Sequence, residues 1–268
     1  MTQSLNQGQA WSPPSLIKNV WLRWGLLIGA GVYLVLALLS VDIDPGRMAR
    51  GMERGGQILA GFLQPDFVSR SHNITDGLIE SLVMTVVATA VGVFISIPIG
   101  IGGARNMVPL PVYLVCRFFI ALSRTFQEVI IAILFVVMLG FGPLAGVMTL
   151  VFGSLGSISK LRSEDIEEID ASQVEAIRAT GSSWLQMLSY GVLPQVLPRL
   201  VGLSLYRFDI NLRESAVIGI VGAGGIGATL NTSIQRYDYN TASAILLLII
   251  ALVMVTELIS SAIRKGLQ

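Results

Sequence analysis

Residues 81–104 read SLVMTVVATAVGVFISIPIGIGGA, twenty-four positions without a charge, closed by Arg105 and Asn106. A helix needs about 20 apolar residues to cross a bilayer, so this run is a membrane span. Pro98 inside it predicts a kink, because proline cannot donate to the helix ladder. The rest of the 268-residue chain has the same character: 53% of residues are apolar, 13% are charged, and mean hydropathy is +0.71. Soluble domains carry about 25% charge. The chain therefore reads as an all-α membrane protein.

Working outward, Trp24 to Val41 is an 18-residue uncharged run behind Lys18 and Arg23, with Trp21 and Trp24 where interfacial aromatics sit. Residues 21–41 form the expected first span, and residues 1–20, rich in Ser, Gln and Pro, form a polar tail. Residues 42–76 carry charges of both signs and are expected to connect outside the membrane. Val112 to Gly140 is apolar but holds Arg117, Arg124 and Glu128. At 1.5 Å per residue it reaches about 43 Å, too long for one perpendicular crossing of a core of about 30 Å. Phe141-Gly142-Pro143 makes a turn, and the uncharged stretch from Val129 to Ser159 divides between two helices. Val201 to Val221 and Tyr239 to Thr256 complete about six spans. Counting Lys and Arg beside the spans gives eight on the side of the N terminus (Lys18, Arg23, Arg105, Lys160, Arg162, Arg178, Arg264, Lys265) and five opposite (Arg47, Arg50, Arg54, Arg70, Arg236). The positive-inside rule then puts both termini in the cytoplasm.

Composition also excludes function classes. Eighteen basic against seventeen acidic residues leave a net charge of +1, with no basic excess for nucleic acid. One cysteine, Cys116, and one histidine, His72, cannot build a zinc cluster, so no metal site is expected. No Ser/His/Asp or Cys/His set suggests an enzyme, so no catalytic residue is assigned. Gly222-x-Gly224-x-x-Gly227 satisfies the dinucleotide fingerprint, but no acidic residue follows at the required distance and a membrane span begins there instead. Gly222, Gly224, Gly225 and Gly227 are better read as hinge or close-approach glycines at the end of the fifth span.

From Lys160 to Arg178, nine of nineteen residues are charged, so this segment lies in water. It runs into Glu175-Ala176-Ile177-Arg178-Ala179-Thr180-Gly181, with Leu193-Pro194 following at fixed distance. A short helix from about Ser172 to Thr180, ended by Gly181 in a left-handed cap, and a second helix from Ser183 would make a compact projection that a partner could grip. The segment resembles the EAA loop of ABC importer permeases, whose pattern is Glu-Ala-Ala, three residues, Gly, nine residues, Ile, one residue, Leu-Pro. Ile177 stands where the pattern has its second Ala, and Gly191 where it has Ile. Tyr190 to Val196, Leu205 to Asn211, Val221 to Gly227 and Leu139 to Val147 resemble, more narrowly, the permease subunit of phosphonate importers.

That resemblance implies a type I permease core over residues 77–264 in a bacterial inner membrane, with a cytoplasmic coupling loop at about 160–195. In it Glu175, Ala176, Arg178, Gly181, Leu193 and Pro194 would meet the ATPase. It implies a homodimer, two cytoplasmic ATPase subunits holding ATP and Mg, and an extracytoplasmic substrate-binding protein delivering phosphonate, phosphite or hypophosphite. This chain has no Gly-Lys dipeptide and hence no P-loop, so no cofactor is expected on it. An ion-coupled secondary anion transporter is the competing reading; inverted repeats would be its signature, and none is evident between the halves.

Ionisable groups inside spans are costly and mark pathways or partners. Arg124 and Glu128, four apart, are expected to share a helix face and can pair, with Arg117 on the same side. On the fifth span, helical geometry sets Arg207 and Glu214 on one side and Asp209 and Arg213 nearly opposite. These six, Arg124, Glu128, Arg207, Asp209, Arg213 and Glu214, are the translocation-pathway candidates.

Overall fold

The computed structural model describes residues 19–40 and 44–267; most of the expected N-terminal tail lies outside them. Among the described residues there are eleven α-helices and no strand. They are α1 (Val20–Ser40), α2 (Pro45–Leu63), α3 (Ser71–Gly102), α4 (Leu110–Thr125), α5 (Glu128–Leu139), α6 (Pro143–Glu167), α7 (Ala171–Ala179), α8 (Trp184–Met187), α9 (Leu193–Ile220), α10 (Gly225–Gln235) and α11 (Tyr239–Leu267). A π-helical turn, Leu188–Val192, joins α8 to α9. Five helical stretches are long and apolar enough to cross a membrane: α1, α3, α6, the run Trp184–Gln235 that contains α9, and α11. The pair α4 and α5 makes a sixth only if it is counted as one broken span, bent by 93°. The chain is an all-helical, multi-pass membrane protein.

The described residues fall into two units, one ending at Gly55 and one beginning at Gly56. In the first, α1 is a single uncharged helix after Arg23, none of whose residues is buried. The second is organised around α3 and α6. Along α3 the buried positions Gly77, Ser81, Thr85, Ala88, Gly92, Ser96 and Gly100 recur every three or four residues, and α6 answers with Ala145, Gly146, Thr149, Gly153, Ser154 and Gly156. In lipid no hydrophobic effect pulls two apolar helices together, so close packing of small residues must do it. Helix α9 lies against both, α10 packs on α3 and α9, α11 runs beside α9, and α4 and α5 flank α6.

Several boundaries differ from the sequence reading. Helix α3 starts at Ser71, ten residues before the uncharged run, since its first turns carry Asp76 and Glu80. It continues through Pro98 to Gly102. Within residues 42–76, expected as an extramembrane connection that could hold short helices, Pro45–Leu63 is helical; Ser243 Oγ donates to the Gly61 carbonyl at 2.8 Å, and beyond this helix Arg70 pairs with Asp238 at 3.3 Å. Phe126 and Gln127 are both extended, which ends α4 and starts α5 in a new direction.

At the far end of α9, Gly219 and Gly227 let α9 and α10 touch backbone to backbone. A Cβ on Gly227 would overlap the Ala216 carbonyl oxygen and lie 2.9 Å from the Gly219 Cα. Gly227→Val is expected to destabilise the full chain by roughly 1–3 kcal/mol through this overpacking, seen as a lower thermal midpoint in detergent. An unchanged midpoint would contradict the close α9–α10 contact.

Candidate coupling and translocation sites

The charged segment folds into the projection its sequence suggests. Asp170 caps α7, its side chain accepting from the Ser172 hydroxyl at 2.7 Å and the Ser172 N–H at 2.9 Å. Those bonds, the hydroxyl first, hold the Asp170 carboxyl below the usual carboxylate range. The charged cap is therefore in place at neutral pH and is lost only as pH falls through that lowered value. Gly181 ends α7 with φ +76°, a left-handed conformation in which a side chain is strained. Ser183 then opens α8 with a complete capping box to Gln186.

The projection is fastened underneath and bare on top. Val174, Met187, Val192 and Val196 are buried with Ala104, Met107 and Ile166 in one apolar cluster. The Trp184 indole N–H reaches the Met107 carbonyl at 3.3 Å, and the Asp170 N–H is held by the Gln195 Oε1 at 3.0 Å. Glu175, Ala176, Arg178 and Gly181 are exposed. Glu175 and Arg178 do not pair; the Arg178 Nε instead lies 3.0 Å from the Met187 sulfur. Leu193 and Pro194, also exposed, form the first turn of α9.

The two departures from the EAA pattern are matched in space. A Cβ on Gly191 would sit 3.2 Å from the Ile177 Cδ1 and 3.6 Å from the Val174 Cα. Ile177, the larger residue, thus takes the room that a side chain at 191 would need. Gly191→Ile is expected to push α7 off its seat and lower the thermal midpoint, whereas Ile177→Ala combined with Gly191→Ile, which swaps the sizes, recovers most of it. Equal midpoints for the single and double variants would rule out this pairing.

Inside the helical bundle the charges arrange around Arg207, 4% exposed on α9. Its Nη2 donates to Glu128 at 2.7 Å and to Glu214 at 3.2 Å, and its Nε donates to the Ser154 hydroxyl at 3.0 Å. The Asn211 Nδ2 donates to Ser154 at 3.0 Å and to Thr89 at 2.9 Å, extending the network from α9 through α6 to α3. Room for the Arg207–Glu128 pair exists because position 153 is glycine: a Cβ there would lie 2.8 Å from the Arg207 Nη2 and closer still to the Glu128 Oε1.

The expected pairing of Arg124 with Glu128 is not what forms. The break after Thr125 puts them on different helices, and Glu128 turns to Arg207 from the first turn of α5, where the positive end of the helix dipole favours a carboxylate. Arg124 makes no ion pair among the described residues. Arg117 pairs with Glu167 at 3.0 Å and lies over the Tyr113 ring at 5.3 Å. Arg207 and Glu214 do share a side. Asp209 faces away to α11, accepting from the Ser260 hydroxyl at 2.8 Å with the Arg264 Nη2 at 3.8 Å. Arg213 does not join it and is exposed. Of the glycine turn, Gly222, Gly224 and Gly225 have positive φ, whereas Gly227 is a packing glycine.

Ser154, Thr89, Gly153 and Ser260 were not singled out by sequence, and Arg264 and Asn211 entered only through the charge count and the resemblance, without a site role. The signal for α6 was present in its run of small residues, Gly153-Ser154 and Gly156-Ser157, within an otherwise apolar span.

Residues 96–268 match the family described as the binding-protein-dependent transport system inner membrane component. The chain belongs to this family. It is a transport permease subunit rather than an enzyme, of a kind that works with an ATPase and a substrate-binding protein. It is 35% identical over 256 residues to the phosphite transport system permease protein PtxC of Stutzerimonas stutzeri, covering 93% of each chain. It is 38% identical over 244 residues to the phosphate-import permease protein PhnE of Mycolicibacterium smegmatis, covering 91% of this chain but only 45% of that one. Among solved structures it is similar to an inward-facing MetNI methionine ABC transporter, at 25% identity and a TM-score of 0.64, covering 72% of this chain and 95% of that one.

In this permease, Arg207→Ala would strand two carboxylates in the bundle. Breaking a buried pair in this way costs about 3–5 kcal/mol, and a large drop in thermal midpoint is expected. Glu128→Gln, which keeps a hydrogen-bonding group and leaves Glu214 for Arg207, is expected to cost much less. Similar losses for both variants would contradict the central role of Arg207.

Proposed function

We propose that this permease carries a small phosphorus oxyanion, such as phosphonate, phosphite or hypophosphite, across a bacterial inner membrane, driven by ATP hydrolysis on a partner chain. The observation that carries the reading is the projection α7–Gly181–α8, anchored by buried Val174 and Met187 and bare at Glu175 and Ala176. Such a rigid, exposed helix end is what a separate ATPase needs to push on. Both named relatives handle oxidised phosphorus anions, phosphate in one and phosphite in the other, and these share tetrahedral shape and charge.

In this reading two copies of the chain enclose the path, and each α7 seats one cytoplasmic ATPase subunit bearing ATP and Mg. Both termini face the cytoplasm, as the balance of Lys and Arg suggests. The binding protein docks on the opposite face, near the Gly222–Gly227 turn, whose positive-φ glycines serve as the hinge between transporter states. Arg124, Arg207 and Arg213 supply positive charge along the route, since guanidinium forks match oxyanion geometry. Glu128 and Glu214 balance the charge of Arg207, while Asp209, turned to Ser260 and Arg264, fastens α11.

The test is ATPase activity of the permease purified with its ATPase and binding protein, over a panel of phosphite, methylphosphonate, hypophosphite, phosphate and sulfate. Stimulation of severalfold by a phosphorus anion, absent with sulfate and lost in Glu175→Ala or Gly181→Val, is expected. Failure of any ATPase to associate with the folded permease would overturn the coupling. Equal stimulation by sulfate would overturn the cargo.

A further inference from the structure

Beside the Arg207 network lies a cavity of about 210 Å³ between α4, α6 and α9. At about 30 Å³ per water molecule, it has room for a small anion and part of its hydration shell. Its polar lining is Arg124 from α4, Ser157 and Lys160 from α6, and Tyr206 and Arg207 from α9; aliphatic side chains complete the wall.

The charges around it are unevenly committed. Arg207 is matched by Glu128 and Glu214, and its Nη1 makes no hydrogen bond among the described residues. Lys160 is shared with Glu164 at 3.4 Å. Arg124 has neither an ion pair nor a hydrogen bond among the described residues, although its stem is packed tightly enough that a Cβ on Gly156 would lie 3.0 Å from the Arg124 Cγ. The Arg124 side chain is exposed, with its stem beside Gly156, and its guanidinium, lining a cavity with two hydroxyls and a lysine, presents the donors that a tetrahedral oxyanion accepts from. Carboxylates at the site are already turned to Arg207 and Lys160, so an arriving anion meets a positive surface without first breaking a pair.

We infer that this cavity is an oxyanion-binding station within the permease, holding a small phosphorus anion through the Arg124 guanidinium with the Tyr206 and Ser157 hydroxyls as further donors. The inference rests on the phosphorus-oxyanion reading for the chemical class of its occupant. The position suits a resting point on the route: the Arg207 network stands on one side, and the charged end of α6, leading to the coupling projection, on the other.

The experiment is equilibrium binding of radiolabelled inorganic phosphate to the full chain alone in phosphatidylcholine nanodiscs, with methylphosphonate and phosphite as competitors. The ATPase is left out because it binds phosphate itself. Saturable binding to the wild type is expected, weakened at least tenfold in Arg124→Gln, less in Arg124→Lys, and severalfold in Tyr206→Phe. Arg47→Gln, on α2, should bind as the wild type does. No saturable binding by the folded wild type, or equal binding by Arg124→Gln, would overturn the station. Loss of phosphate binding when phosphatidylglycerol replaces part of the phosphatidylcholine, but not when an equal charge of fatty-acid carboxylate does, would assign the cavity to lipid headgroups and overturn it as well. Uptake by the complete transporter separates this inference from the cargo reading. Arg124-dependent binding without uptake of any phosphorus anion sinks the cargo and leaves the station. Uptake without Arg124-dependent binding sinks the station and leaves the cargo.

Discussion

The close approach of α3 and α6 is the constraint from which the rest of the larger unit follows. Small residues on both helices bring the backbones together, and the same stripe on α6 that permits this contact, Gly153 and Ser154, also makes the pocket for Arg207. A single helix thus sets the packing, receives the buried charge of α9, and continues to Glu167, three residues before the Asp170 cap that starts the exposed projection. Replacing small residues along it by larger ones would disturb packing and polar centre together.

Burying a guanidinium among apolar helices is unfavourable unless its donors are met. Here the chain breaks a helix to meet them: α4 ends, α5 restarts at a 93° bend, and Glu128 arrives beside Arg207 from a direction that a continuous helix would not give. The neutral side chains Ser154, Asn211 and Thr89 then spread the network over three helices without adding charge. On the other side of α9, Asp209 with Ser260 and Arg264 gives α11 its own polar fastening. Helix α9 is therefore held on two faces by different chemistry.

Much of this was legible in the sequence where the signal is local. Uncharged runs located the spans, Gly181 and Ser183 marked the end of α7 and the start of α8, and 100° per residue separated Arg207 and Glu214 from Asp209. Non-local partners were not legible. Glu128 and Arg207 are 79 residues apart, and nothing near Glu128 says that it pairs there rather than with Arg124 four residues away. The bend that decides the matter lies at Phe126-Gln127, which holds neither proline nor glycine. The early start of α3 was hidden for a related reason: Asp76 and Glu80 interrupt the uncharged run but not the helix. Gly153 carried no mark distinguishing it from the other glycines of α6, because its role depends on a side chain from α9.

The proposed role of α7 is to seat the ATPase, with Ala176 at the contact. It is tested most directly by crosslinking from Ala176→Cys, labelled with a photoreactive maleimide in a Cys116→Ser background, in the complex with the ATPase. Position 176 is exposed on α7 and Cys116 is the chain's sole native cysteine. An adduct of permease and ATPase is expected from position 176 and none from Val137→Cys on the exposed face of α5. Absence of that adduct in an intact complex, or equal crosslinking from position 137, would contradict it.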